Sequence, residues 1–258
     1  MIYNYHTHTF RCSHASGTEE EYIKRAIENG IKYMGFSDHF PFMCSDSHES
    51  GFRVPISQVE DYFDTINALR EKYKDEIDIK IGFEMEYYPD NFEEMLENAK
   101  KYGAQYLIMG EHFTEEELDG VIPSGNPSDS IEKLKNYVET VCEGIATGVF
   151  TYVAHPDLIN FTGDDAVYKE EMRKICRASR EYDVPLEINF LGIREGRAYP
   201  RDLFWETAGE EQSPVTFGFD AHSVKAAFDG ESLVKAEEMV KKYNLNYIGM
   251  AKIRELGE

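Results

Sequence analysis

Residues 2–8, Ile2-Tyr3-Asn4-Tyr5-His6-Thr7-His8, read as a short strand over Ile2 to Tyr5 that runs straight into a His-x-His pair. A strand repeats every two residues, so His6 and His8 would project from the same face. If this strand is the first of a parallel set, both histidines sit at its C-terminal end. That is where parallel α/β sheets and barrels place their reactive groups.

The rest of the chain supplies the set. Thr18-Glu19-Glu20-Glu21 has the form of a capping box, and Gly30 has the form of a helix stop. Strands are expected at Tyr33 to Ser37, Ile77 to Phe83, Tyr106 to Met109, Thr151 to Ala154, Pro185 to Ile188 and Val215 to Phe219. Helices are expected between them: Ser57 (opening a second capping box) to about Lys74, Asn91 to Lys101, Ser130 to Thr147 and Asp164 to Glu181. A last helix covers Glu231 to Tyr243, and Tyr247-Ile248 forms one further short strand. Regular strand–helix alternation implies a parallel sheet, either open or closed into a barrel.

Metal-capable residues fall at the ends of these strands. His6 and His8 follow the first, with His14 in the next loop; His39 follows the second, Glu84 the third, His112 the fourth and His155 the fifth. Asp220 and His222 follow the seventh, again with one residue between them. A lone histidine is more often a satisfied core or surface group, but seven of eight at strand ends are poorly explained that way. Their convergence on one axis favours a closed barrel. Imidazole with carboxylate suits zinc, iron or manganese. Nine ligands exceed what one catalytic ion takes, about three plus water, so two or three ions are expected.

Bulk properties narrow the class. The 258 residues contain no Pro/Gly/Ser-rich linker, so one domain over 1–258 is expected. Apolar runs reach only strand length, and no export signal is expected from Met1-Ile2-Tyr3-Asn4-Tyr5, which reads directly as a strand. Cys12, Cys44, Cys142 and Cys176 are scattered without zinc-ribbon spacing, as expected of free thiols in a cytoplasmic protein. A net charge of −22 argues against duplex nucleic acid as partner. It leaves room for a small phosphorylated substrate where metal ions and arginines reverse the local potential. A homo-oligomer is compatible with the sequence.

His6-Thr7-His8-Thr9, His14, Ser37-Asp38-His39, Gly82-Phe83-Glu84, His112, His155-Pro156 and Asp220-Ala221-His222 together resemble the polymerase and histidinol phosphatase (PHP) family. The resemblance implies a distorted (β/α)7 barrel with the metal site at the C-terminal ends of the strands. It implies one ion on His6, His8, Glu84 and Asp220. Glu84 would bridge to a second ion on His112 and His155, and a third would sit on His14, His39 and His222. Glu86 competes for the bridge, and the Gly-x-Glu pattern favours Glu84. Glu187-Ile188-Asn189, Gly192-x-Arg194, Tyr199-Pro200 and Phe52-Arg53 resemble the stand-alone histidinol-phosphatase branch. That implies L-histidinol phosphate as substrate, and a place in histidine biosynthesis.

Such a site would use hydroxide generated at the metals to attack phosphorus, with Glu84, Asp220 and His222 at the reacting centre. A phosphate dianion also calls for a guanidinium, with its forked donors. Arg197 and Arg53 are the first candidates, Arg194 and Arg201 weaker ones, with Asn189 either meeting substrate or capping a strand. His48 reads as a solvated loop residue. Rival readings are a PHP-type nuclease or phosphoesterase on another ester, an amidohydrolase-like C–N hydrolase, and a non-catalytic metal binder.

Overall fold

The computed structural model describes residues 1–256. Its strands are β1 (Tyr3–Asn4), β2 (Tyr33–His39), β3 (Asp78–Met85), β4 (Tyr106–Met109), β5 (Leu186–Asn189), β6 (Pro214–Gly218) and β7 (Asn246–Tyr247). All pairings between them are parallel, in the orders β1-β2-β3-β4 and β5-β6-β7. The helices are α1 (Glu19–Glu28), α2 (Val59–Tyr73), α3 (Phe92–Tyr102), α4 (Ile131–Ala146), α5 (Asp165–Tyr182), α6 (Phe190–Glu195), α7 (Asp202–Glu211) and α8 (Gly230–Lys242).

Two narrow junctions turn these sheets into a barrel. Where a strand was expected over Thr151 to Ala154, only Val153 pairs, to Met109 on one side and Leu186 on the other. The segment still exchanges ladder hydrogen bonds with both neighbours: Thr151 N to Leu107 O at 2.8 Å, Ala154 N to Met109 O at 2.7 Å and Glu187 N to Val153 O at 2.9 Å. Opposite it, Thr7 pairs with Ala221 just beyond β1 and β6. His8 N donates to Ala221 O at 3.0 Å, and Ala221 N donates to His6 O at 3.2 Å. The second junction therefore draws the two x-His segments together at the rim, so the seven-stranded reading holds with one strand reduced to a bridge.

Local chemistry explains most boundaries. Thr18 and Glu21 form the expected capping box. The second one does not form: α2 starts two residues late, after a 3-10 turn at Ile56–Gln58, without a side-chain cap. Sequence periodicity also missed α6 and α7. The first is six residues long. The second buries Thr207, Gly209 and Glu211 beside Phe204, Trp205 and Ala208, so its buried face is not marked by apolar residues alone, and only Asp202, Glu206 and Glu210 form an exposed polar row.

The main core lies between strands and helices and includes Leu107 and Met109. The alternate residues Tyr106 and Ile108 turn to the inner face, where they cluster with Tyr5, Tyr152 and Ala154 beneath the site. Ala251 joins that inner cluster. Its segment is tied on by Gly249 O, which accepts from Tyr3 Oη and Thr216 Oγ1, each at 2.8 Å. No helix among the described residues is long and apolar enough to cross a membrane.

Candidate metal centre

Register delivers the site. On adjacent strands His39 is paired with Glu84, so an imidazole and a carboxylate leave the sheet side by side. His6 and His8 extend from β1 on the shared face. Asp220 and His155 are reached by sharp turns, with φ of +45° and +32°, in a region that side-chain-bearing residues enter at some cost. Both turns redirect a strand end toward the axis.

The result is a nest of potential ligand atoms around Glu84, which is 1% exposed. His6 Nε2 lies 3.5 Å and His8 Nε2 3.4 Å from Glu84 Oε2, and the two nitrogens are 3.2 Å apart. Asp220 Oδ1 is 3.6 Å from the first and 3.3 Å from the second. Ligands bound at 2.0–2.2 Å in a tetrahedron stand about 3.3–3.6 Å apart, so the separations of Glu84 Oε2 and of Asp220 Oδ1 from the two imidazole nitrogens have the spacing of a coordination shell. Glu84 Oε1 faces His155 Nε2 at 2.8 Å and His112 Nε2 at 3.6 Å. His14, His39 and His222 offer a third group, with the Nε2 atoms of His14 and His222 3.0 Å apart. Neither oxygen of Glu84, nor Asp220 Oδ1, has a hydrogen-bond donor. Buried carboxylate oxygens without donors are costly unless a cation satisfies them. The donor set therefore fits divalent ions.

Electrostatics in the metal-free protein agree. Burial works against charge throughout, but His112 and His6 hold Glu84 well below the usual carboxylate range, and His6 and His222 do the same for Asp220. Burial also opposes a proton on His6, yet Glu187, Asp220 and Glu84 raise its pKa well above 6.5. His39 goes the other way: burial and the neighbouring His8 push it well below 6.5. The buried carboxylates thus favour positive charge in the nest, and the crowding of imidazoles disfavours it at His39.

A second ring of residues orients the first. His6 Nδ1 meets Glu187 Oε1 at 2.8 Å, and His8 Nδ1 meets Asp38 Oδ1 at 3.3 Å. His112 Nδ1 meets Glu86 Oε1 at 2.8 Å, and Glu86 Oε2 is paired with Arg53 Nη2 at 2.8 Å. Glu86 is therefore turned away from the imidazole Nε2 atoms, whereas both oxygens of Glu84 face them. Sequence patterns had marked Asp38 and Glu187 without their roles, because neither contact is local in the chain.

The arginines divide. Arg197 lines the cavity of about 620 Å³ above the nest, together with Phe52, Phe113, Pro123, Leu191, Glu195 and Tyr199. Arg53, expected to meet substrate, does not reach it. It is 2% exposed and spends its donors on Glu117, Phe40 O, Tyr88 Oη and Glu86. Arg194 donates to Asp229 at 2.9 Å and to Asp220 O at 3.2 Å, which steadies the backbone of a candidate ligand. Arg201 lies over the Tyr168 ring at 3.8 Å and pairs with Asp165, away from the cavity lining. Asn189 is buried: its Oδ1 caps α6, and its Nδ2 donates to Glu187 at 2.8 Å and Asp220 at 3.0 Å. His48 is exposed in the loop after β2 and joins none of these groups.

A family model described as the PHP domain matches residues 4–190. The chain belongs to the PHP domain family. This PHP chain is 25% identical over 230 residues to the probable histidinol-phosphatase of Deinococcus radiodurans, covering 84% of this chain and 85% of that one. It is 24% identical over 247 residues to the histidinol-phosphatase of Bacillus subtilis, covering 84% and 92%. Two solved structures share its fold. One is the putative histidinol phosphatase of Listeria monocytogenes, with TM-score 0.73, 22% identity and coverage of 90% of this chain and 99% of that one. The other is the histidinol phosphate phosphatase of Lactococcus lactis complexed with zinc, L-histidinol and phosphate, with TM-score 0.72, 22% identity and coverage of 95% of both chains.

Proposed function

We propose that this protein is a metal-dependent phosphomonoesterase that hydrolyses L-histidinol phosphate to L-histidinol and phosphate. The observation that carries this reading is Glu84, buried with both carboxylate oxygens free of donors and ringed by five imidazoles. The names and bound ligands of the relatives support the substrate.

Two or three divalent ions would be held as the resemblance implied: by His6, His8, Glu84 and Asp220; by Glu84, His112 and His155; and by His14, His39 and His222. Zinc is supported by the Lactococcus lactis complex, with iron and manganese also suited to the donors. When bound, such ions supply Lewis acidity and hydroxide near neutral pH. Around them the protein's own groups bind and orient. Arg197 offers its guanidinium to the phosphate, and Tyr199 Oη fixes that guanidinium at 3.1 Å from Nη1. Phe52 and Phe113, stacked at 5.8 Å, form an aromatic wall on which a heteroaromatic ring can lie. Asn189, Glu187 and Asp38 hold the ligands and contact no substrate.

The reading takes the chain as one barrel domain over 1–258, acting in the cytoplasm, in keeping with its four free cysteines. A cavity walled by Phe52 and Tyr199 in a chain of net charge −22 suits a small ester better than a nucleic acid. Among the described residues no lysine lines the cavity to serve the carbamylated bridge of an amidohydrolase-like site. The test is phosphate release from L-histidinol phosphate beside an aryl phosphate, after chelation and after adding metal back. Strong preference for the first, lost on chelation and recovered with metal, is expected. Equal slow hydrolysis of both would reject the substrate, and no hydrolysis of either would reject the phosphatase.

A further inference from the structure

One charged pair on the cavity wall is left over once the metal cluster is set aside. Glu195 ends α6, and Gly196 then turns the chain through φ +64°, bringing Arg197 back beside it. Arg197 Nε and Nη2 both reach Glu195 Oε2, at 2.9 and 2.8 Å, while Nη1 goes to Tyr199. Both side chains are about half exposed and line the cavity. Arg197 has an evident partner in a phosphate. A carboxylate beside it does not, because a dianion would be repelled by Glu195 as much as it is drawn to Arg197.

The pair makes sense if the ligand carries both charges. We infer that Glu195 is the specificity-determining residue of this site, recognising a cationic amine on the alcohol portion of the phosphate ester. This rests on the phosphatase reading above. A bound phosphate draws the guanidinium from Glu195, and a substrate ammonium a few bonds from the phosphate replaces it. The internal ion pair is exchanged for two intermolecular ones. A plain phosphate ester satisfies Arg197 but leaves Glu195 facing a dianion without a counter-charge, so it is disfavoured at the same step. Selection here works by rejecting the wrong ligand as well as holding the right one. Only the carboxylate's Oε2 is engaged by Arg197, so Oε1 is presented for the ammonium.

The experiment compares wild type and Glu195→Gln, both loaded with metal, on three esters: L-histidinol phosphate, its analogue lacking the amine, and an aryl phosphate. In wild type, removing the amine is expected to lower kcat/KM roughly tenfold to hundredfold, as loss of a charged hydrogen bond does, through KM rather than kcat. In Glu195→Gln, kcat/KM for L-histidinol phosphate relative to the aryl ester falls by a similar factor, and the amine no longer matters. If the variant keeps the wild-type discrimination while esters are still hydrolysed, the inference is overturned and the phosphatase reading stands. If metal-loaded wild type hydrolyses no ester, both fall.

Discussion

His6 and Glu187 meet with Nδ1 2.8 Å from Oε1, while the other nitrogen of the same ring points at Glu84 and Asp220. One contact thus fixes both the tautomer and the aim of a candidate ligand. Glu187 also accepts from His155 N at 3.1 Å and Asn189 Nδ2 at 2.8 Å, tying two further site elements to the same carboxylate. Glu187→Gln is expected to lower metal affinity about 10–100-fold without removing a ligand. Competition against a chelator of known affinity measures it, and unchanged affinity would remove Glu187 from the site.

Gly110 leaves the space in which the Glu84 carboxylate lies, and a Cβ built there would overlap that carboxylate. Gly110→Ala should therefore cost the protein its metal although every ligand is retained. Gly125→Ala, whose Cβ meets nothing closer than Leu158 at 3.8 Å, serves as the control. Metal content per chain after desalting separates them; equal content in the two would show that Glu84 has another rotamer available.

The pH dependence of the metal-free protein follows from opposed shifts. Glu84 and Asp220 are held below their ordinary values, so their contribution is complete above about 4.5 and is lost as pH falls through the lowered values. His6 and His8 are held above 6.5, so theirs is complete below 6.5 and is lost as pH rises through the raised values. The contribution of these four groups to the melting temperature of chelated protein should be complete over about pH 4.5–6.5 and fall away on both sides, while His39, held below 6.5, adds a loss of stability below pH 6.5. Bound metal replaces the protons, so loaded protein should lose the alkaline decline. An apo profile still rising above pH 8 would contradict this.

The two arginines first considered for the phosphate should separate by phenotype. Arg53→Met strands Glu86 and Glu117 beneath the site and is expected to destabilise by about 3–5 kcal/mol. Arg197→Met removes a half-exposed pair. It should change stability by only about 0.5 kcal/mol while lowering kcat/KM for the ester roughly tenfold to hundredfold. Urea denaturation and steady-state kinetics on both variants test the division. Loss of activity without loss of stability in Arg53→Met would return that residue to the substrate.

Phe52-Arg53 shows what sequence reading cannot settle. In the sequence both residues belong to a loop expected on the metal face, and a guanidinium there is as suitable for phosphate as for an ion pair. Only the packing of Phe40, Tyr88, Glu86 and Glu117 around Arg53 decides that it is buried, leaving Phe52 to line the cavity. Glu86 is a similar case. One strand period from Glu84, it shares the same face, and its turn toward His112 and Arg53 is settled by partners 26 and 33 residues away.

The sequence by itself determined the strand–helix alternation, the parallel sheet and the nine metal-capable residues at strand ends. Those depend on periodicity and position, which are local properties of the chain. The tertiary structure decided how the barrel closes, through Val153 on one side and Thr7 with Ala221 on the other. It also decided which carboxylates face the imidazole Nε2 atoms and which stand behind them. Glu84, Glu86, Asp38 and Glu187 have the same chemistry, and their different tasks arise from contacts between residues far apart in the chain.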